Sequence, residues 1–260
     1  SPLGPGGIDQ SRLTERYTEE AIAFLEENRD RPFFLYLAHT FPHVPHYASP
    51  EHAGRSEGGL YGDVVEDLDR STGAILAAVD RLGLAPTTAV FITSDNGADY
   101  NGSPGGLRGR KGEIYEGGQR VPMIVHWPGR VEAGRVNDEP AMNIDLFPTL
   151  LSLAGLPLPD DREIDGRDLS ALLDGTGGRP RDDLFFFPVL DSLPGAVRSG
   201  AFKYLRSTGD LGRDRAHLSR VDGDAEAHEL SDLHPETAER LAASLEAMRE
   251  RIDENPRGWR

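Results

Sequence analysis

The sequence predicts an α/β core followed by a smaller α+β subdomain, and three observations support this. Short continuous apolar runs at 33–38, 89–93 and 121–127 have the length and the β-branched or aromatic content of strands covered on both faces. Between them apolar residues recur at the 3.6-residue period of helices, so helix and strand alternate as in layered α/β folds with helices on both faces of the sheet. Beyond about Pro157 the chain breaks into short segments punctuated by Pro, Asp and Gly. The core is therefore expected at 1–157 and the α+β subdomain at 158–260.

A chain of 260 residues is long enough to bury one sizeable core with an appendage. Lys and Arg number 28 against 44 Asp and Glu, a formal charge of −16. That balance disfavours nucleic acid and anionic membrane as partners. There is no cysteine, which removes disulfides and thiolate metal sites. No apolar run approaches the roughly 18 residues of a membrane span. The opening Ser1-Pro2-Leu3-Gly4-Pro5-Gly6-Gly7 has no Met and no basic-then-apolar leader, and it reads as the middle of a loop, as if the chain were part of a longer one.

The first helix is expected to be capped by Thr18. Glu19 and Glu20 follow where the dipole favours acids, then Ala21, Phe24 and Leu25 on one face, with the end near Asn28 and Pro32. The first apolar run stops at His39, before a loop of Pro and His. Tyr61, Val64, Val65, Leu68, Ile75, Leu76, Val79 and Leu82 keep helical spacing and Gly83 supplies the stop. The second apolar run ends in the turn Ser94-Asp95-Asn96-Gly97, at the strand end where open α/β sheets collect ligands. A Gly-rich stretch over 97–118 leads to the third run, which carries Pro122 near its start, where a missing donor is tolerated. Further helices are expected at 145–153, closed by Gly155, and at 235–252, with short segments between them at 184–187, 196–198 and 202–205.

Four constellations could carry chemistry. His39, His43 and His46 read either as ordinary histidines or as a zinc set, since a strand followed by a Pro-kinked loop need not aim three rings at one point. Asp95 and Asn96 offer hard oxygen donors suited to calcium or magnesium, or they form a plain Asp-Asn-Gly turn. Gly105-Gly106-Leu107-Arg108-Gly109-Arg110-Lys111-Gly112 could wrap an oxyanion, or it is a flexible basic loop. It is not a Walker A loop, because Arg110 stands where a glycine should precede Lys111 and no Ser or Thr follows that lysine. Glu116 and Arg120 read as an ion pair that fixes their loop, outside the chemistry.

The order of these pieces is more specific than any one of them: Pro42-His43-Val44-Pro45 after a strand, Thr93-Ser94-Asp95-Asn96-Gly97, then Gly109-Arg110-Lys111-Gly112 with Tyr115-Glu116-Gly117-Gly118 and Arg120-Val121-Pro122. Asp145-Leu146-Phe147-Pro148-Thr149, Asp165-Gly166-Arg167-Asp168-Leu169, Ala196-Val197-Arg198 and Glu229-Leu230-Ser231-Asp232-Leu233 extend the match along essentially the whole chain. The pattern resembles the type I sulfatases, most closely their arylsulfatase A-like branch. The resemblance implies an alkaline-phosphatase-like α/β/α sandwich, incomplete at its N-terminus, and a sulfuric ester hydrolase acting on a sulfated small molecule or glycan.

It further implies that Asp95 and Asn96 are two ligands of a calcium ion, and that His43 and Lys111 contact the substrate sulfate and assist catalysis. The family's nucleophile is a formylglycine made from Cys or Ser in a Cys/Ser-x-Pro-x-Arg motif. This chain has no Cys, and Ser192-Leu193-Pro194-Gly195-Ala196 lacks the Arg. The formylglycine, the remaining calcium ligands and a further lysine and histidine are thus expected in an N-terminal segment missing from this chain, which by itself should turn over little substrate. Kinship further implies export of the whole protein, to the periplasm or beyond. A phosphomonoesterase or phosphonate hydrolase of the same superfamily is the alternative chemistry, and a noncatalytic binding or structural chain the alternative class.

Overall fold

A computed structural model describes residues 7–178, 181–189, 191–206, 216–223 and 225–254. The loop-like opening at 1–6 lies outside them. By Cα proximity the chain divides into two compact units, Ser1–Val90 with His126–Gly129, and Phe91–Val125 with Arg130–Arg260. This division differs from the one drawn at 157/158, because buried charges join the Gly-rich loop to the C-terminal sheet within the second unit.

In the first unit, the Asp9 carboxylate accepts from Ser11 N (3.1 Å) and caps a 3-10 turn, Gln10–Arg12, that runs straight into α1 (Leu13–Asn28). The helix therefore starts before the expected cap. Thr18 sits inside it, its hydroxyl donating to Thr14 O (2.7 Å) and lying 2.6 Å from Ser71 Oγ of α2 (Gly59–Arg81). A Thr hydroxyl that finds the carbonyl four residues back has no need to cap. Leu25, Ala78, Val79 and Leu84 form the core between the two helices, and Gly83, at φ +72, ends α2 as the sequence predicts.

The run at 33–38 forms neither helix nor strand and joins no sheet among the described residues. Its burial alternates. Phe33 packs on the core, and Leu35 and Leu37 line a groove with Tyr17 and Phe24 of α1. Phe34 and Tyr36 remain 70% and 80% exposed. The expectation of a strand buried on both faces is thus corrected: one face has a helix against it, and the backbone has no ladder partner here.

β1 (Val90–Thr93) and β2 (Met123–His126) pair in a two-stranded sheet. Full burial is again not met, since Met123 and Ile124 are exposed. In the second unit, α4 (Leu146–Leu153) follows a 3-10 turn at Asn143–Asp145 and stops at Gly155, φ +70. The buried Asp145 carboxylate accepts from Met142 N and Arg167 N (2.8 Å each) and pairs with Arg181, tying α4 to the chain that precedes α5 (Ser170–Leu173).

The C-terminal part is a four-stranded antiparallel sheet in the order β3 (Asp183–Phe186), β4 (Ala196–Ser199), β5 (Phe202–Leu205), β6 (His217–Arg220). Val197 faces Tyr204, and Tyr204 faces Leu218. α6 (Pro235–Asp253) lays Leu241 and Leu245, both fully buried, on Val197 and Leu218. Its Pro235 begins the helix at the position where a missing N–H costs nothing. No helix among the described residues is long and apolar enough to cross a membrane.

Candidate active site

The turn after β1 is built by its own side chains. Asp95 Oδ1 accepts from Asn96 N at 2.9 Å, Ser94 Oγ donates to Asn96 O at 3.2 Å, and Asn143 Nδ2 donates to Ser94 O at 3.0 Å. The plain-turn reading is therefore correct as far as it goes. Among the described residues, Asp95 Oδ2 and the Asn96 side-chain amide still have no hydrogen bond, and Asp95 is at the surface. Both are oxygen donors of the kind hard cations take. They fit calcium in chemistry but supply only part of its six to eight ligands, and no group of three or more His, Asp or Glu that could hold a metal exists among the described residues.

The Gly-rich loop is fastened to this turn. Gly97 N donates to Gly118 O (2.9 Å), and Lys111 N donates to Ala98 O (2.9 Å). The approach demands glycine: a Cβ on Gly97 would lie 2.1 Å from Gly117 O, and one on Gly118 would lie 2.4 Å from Arg110 O. Gly97→Ala is thus expected to cost about 1–3 kcal/mol through overpacking against backbone that cannot swing aside. Thermal unfolding of the variant checks it, and an unchanged midpoint would mean that the turn and loop part freely.

Two of the loop's three cations are already committed. Arg108 donates to Glu226 O and lies over the Tyr115 ring at 4.2 Å. Arg110 donates to Asp99 O (2.5 Å) and Gly102 O (2.9 Å). Both guanidinium groups are thus held by backbone carbonyls, and the oxyanion reading narrows to Lys111, whose exposed ammonium has no hydrogen bond or ion pair among the described residues.

Glu116 heads the short helix α3 (Glu116–Gln119) and pairs with Arg120 at 2.9 Å, as the spacing suggests. It is also 2.7 Å from Arg198 and 3.1 Å from Lys203, and its own N–H donates to Glu226 Oε2 at 2.8 Å. Burial pushes the Glu116 carboxyl up, but Lys203, Arg198 and Arg120 outweigh it and hold the group below the ordinary carboxylate value. Sequence reading missed Lys203 and Glu226, because they lie 87 and 110 residues from Glu116 and no local spacing connects them.

His43 belongs to the first unit, whereas Asp95, Asn96 and Lys111 belong to the second. Its Nδ1 lies 2.7 Å from Val44 O, so that nitrogen donates, and the residue is exposed. His46 Nε2 is 2.9 Å from Pro42 O, and its ring meets Tyr61 edge-on. His39 packs edge-on against Tyr17, and burial pushes its pKa down. The three rings take three different neighbours and form no metal group, so the zinc reading is set aside.

Residues 5–156 match the Sulfatase family model. The chain is 47% identical over 188 residues to the steryl-sulfatase of Mus musculus, covering 68% of this chain and 30% of that protein. It is 44% identical over 185 residues to human arylsulfatase A, covering 68% and 36%. It thus spans about a third of the length of these relatives. Among solved structures, a Bacteroides thetaiotaomicron protein described under the metabolism of multiple glycosaminoglycans superposes at a TM-score of 0.83 with 30% identity, over 94% of this chain and 55% of that one. The fold is accordingly the alkaline-phosphatase-like one of that structure. The chain belongs to the sulfatase family.

Proposed function

We propose that the protein of which this chain forms part hydrolyses sulfate esters of small molecules or glycans. One observation carries the reading: Lys111, bonded through its N–H to Ala98 O at 2.9 Å, presents an exposed ammonium, with no ion pair among the described residues, on the loop fastened beside two oxygen donors at a strand end. Calcium, when bound, supplies a Lewis acid to the sulfate oxygens. Asp95 and Asn96 would provide part of its shell, with the other ligands coming from residues outside this chain. Lys111 attracts the anionic sulfate and holds it in orientation. His43, with Nδ1 tied to Val44 O, has Nε2 to steady the leaving oxygen or to give it a proton.

The attack on sulfur belongs to a formylglycine outside this chain, which has no Cys and no Ser-x-Pro-x-Arg motif. The proposal therefore includes an N-terminal segment of the same protein, and export of the whole to the periplasm or medium, which cell fractionation would check.

The test is to express the full coding sequence with a formylglycine-generating enzyme and offer 4-nitrophenyl sulfate and 4-nitrophenyl phosphate in competition. Sulfate release that a calcium chelator abolishes is the expected result. Preferential hydrolysis of the phosphate, or no hydrolysis by a correctly modified protein, would overturn it.

A further inference from the structure

We infer that Lys203 is a positioning residue for the Asp95–Asn96 turn and the Lys111 loop, an inference that rests on the function proposed above. Lys203 lies on β5, far along the chain from the turn, with a fully buried side chain. Its ammonium is 3.1 Å from Glu116 Oε1, 3.5 Å from Glu226 Oε1 and 3.8 Å from the centroid of the Phe186 ring. A sheet position needs no charge for packing, and a buried ion pair is seldom more stabilising than an apolar residue of the same volume. What the lysine supplies is direction: it fixes a carboxylate at the head of α3.

From that carboxylate the constraint runs through short contacts with little slack. Glu226, delivered by a turn in which Ala225 and Glu226 take left-handed φ of 50° and 59°, accepts the Glu116 N–H at 2.8 Å, and its carbonyl accepts Arg108. Gly117 N donates to Arg108 O at 2.7 Å, and Gly118 O accepts Gly97 N at 2.9 Å. A Cβ on Gly117 would stand 2.3 Å from Gly109 O, so backbone lies directly on backbone. If Glu116 shifts, Gly117 and Gly118 shift with it. The turn that holds Asp95 and Asn96, and the bond from Lys111 N to Ala98 O, must then move as well.

The experiment uses the full-length, formylglycine-bearing protein with Lys203→Met and Lys203→Arg, assayed well below each unfolding midpoint for kcat, KM and the inhibition constant of inorganic sulfate. Lys203→Met is expected to lower kcat/KM roughly tenfold to a hundredfold, as misplacement by a remote substitution does, with sulfate inhibition weakened in parallel and Lys203→Arg recovering part of both. A folded Lys203→Met protein whose kcat/KM and sulfate inhibition stay within about twofold of wild type would overturn the inference and leave the lysine a role in folding alone. Should Lys203→Met not fold, Lys203→Gln, which removes the charge but keeps a donor toward Glu116, takes its place, and unaltered sulfate inhibition there overturns it equally. If the wild type hydrolyses no sulfate ester, the proposed function falls by itself. Amide hydrogen exchange over residues 97–118 then decides positioning: faster exchange in Lys203→Met supports it and unchanged exchange rejects it.

Discussion

Replacing Glu116 with alanine is expected to cost the folded protein about 3–5 kcal/mol, the penalty of removing one partner from a buried charge cluster. The carboxylate is 3% exposed and answers three cations, at 2.7 Å from Arg198, 2.9 Å from Arg120 and 3.1 Å from Lys203. Arg120 can turn to solvent when its partner disappears, being 46% exposed. Lys203 cannot, because its side chain is fully buried and, among the described residues, Glu226 at 3.5 Å is the one carboxylate left to it. The loss should depend on pH with a definite sign. The folded Glu116 carboxyl lies below its ordinary value of 4.5, so the stabilisation is present in full above that value and is lost as pH falls through the lower folded one. Glu226, pushed up by burial and in part by the Glu116 charge, works in the opposite direction and offsets part of the narrowing, because Glu116→Ala removes that second cause. Urea unfolding of wild type and Glu116→Ala between pH 7 and 3 should show a gap that narrows below about 4.5. A gap constant across that range would mean that the carboxylate charge is not what holds Lys203.

What could be read from the sequence followed from how local its cause was. α2, α4 and α6 were legible because each carries an apolar face at helical period and a terminus marked by Gly or Pro within a few residues. β3, β4 and β5 were legible only as short segments of an α+β subdomain. β6, His217–Arg220, was not, since Leu218 is its one large apolar residue and its place is set by pairing with β5. The run at 33–38 failed differently: continuous apolarity announces burial on two faces, but only one face has a neighbour within this chain's described residues. In the candidate site, the residue types at Asp95, Asn96 and Lys111 could be read from motif order, and so could the pair Glu116–Arg120. The fit of Gly97 against Gly117, and the reach of Lys203 to Glu116, could not. Both depend on segments brought together by the fold, and neither a glycine nor a lysine announces in its neighbours what it will meet.

Lys111→Ala should leave stability within about 0.5 kcal/mol of wild type, because the side chain is exposed and its loop is held by the backbone. In the full-length enzyme the same substitution is expected to lower kcat/KM by about 10²–10³-fold. The scale follows from charge: an ammonium about 4 Å from a sulfate contributes roughly 4 kcal/mol at an effective dielectric near 20, before desolvation of either group. How the loss divides tells what the lysine does. If KM rises while kcat holds, Lys111 binds the sulfate equally in ground and transition states. If kcat and kcat/KM fall together, its charge acts on the leaving oxygen as the ester bond breaks. Lys111→Arg separates charge from shape, since a planar guanidinium keeps the attraction but not the compact point charge of an ammonium. Recovery by Arg of the KM component alone would assign Lys111 to anion binding and leave the leaving-group proton to His43. If Lys111→Ala turned over an aryl sulfate as fast as wild type, the lysine would have no part in the site, and the motif order would have pointed to the family without pointing to the residue.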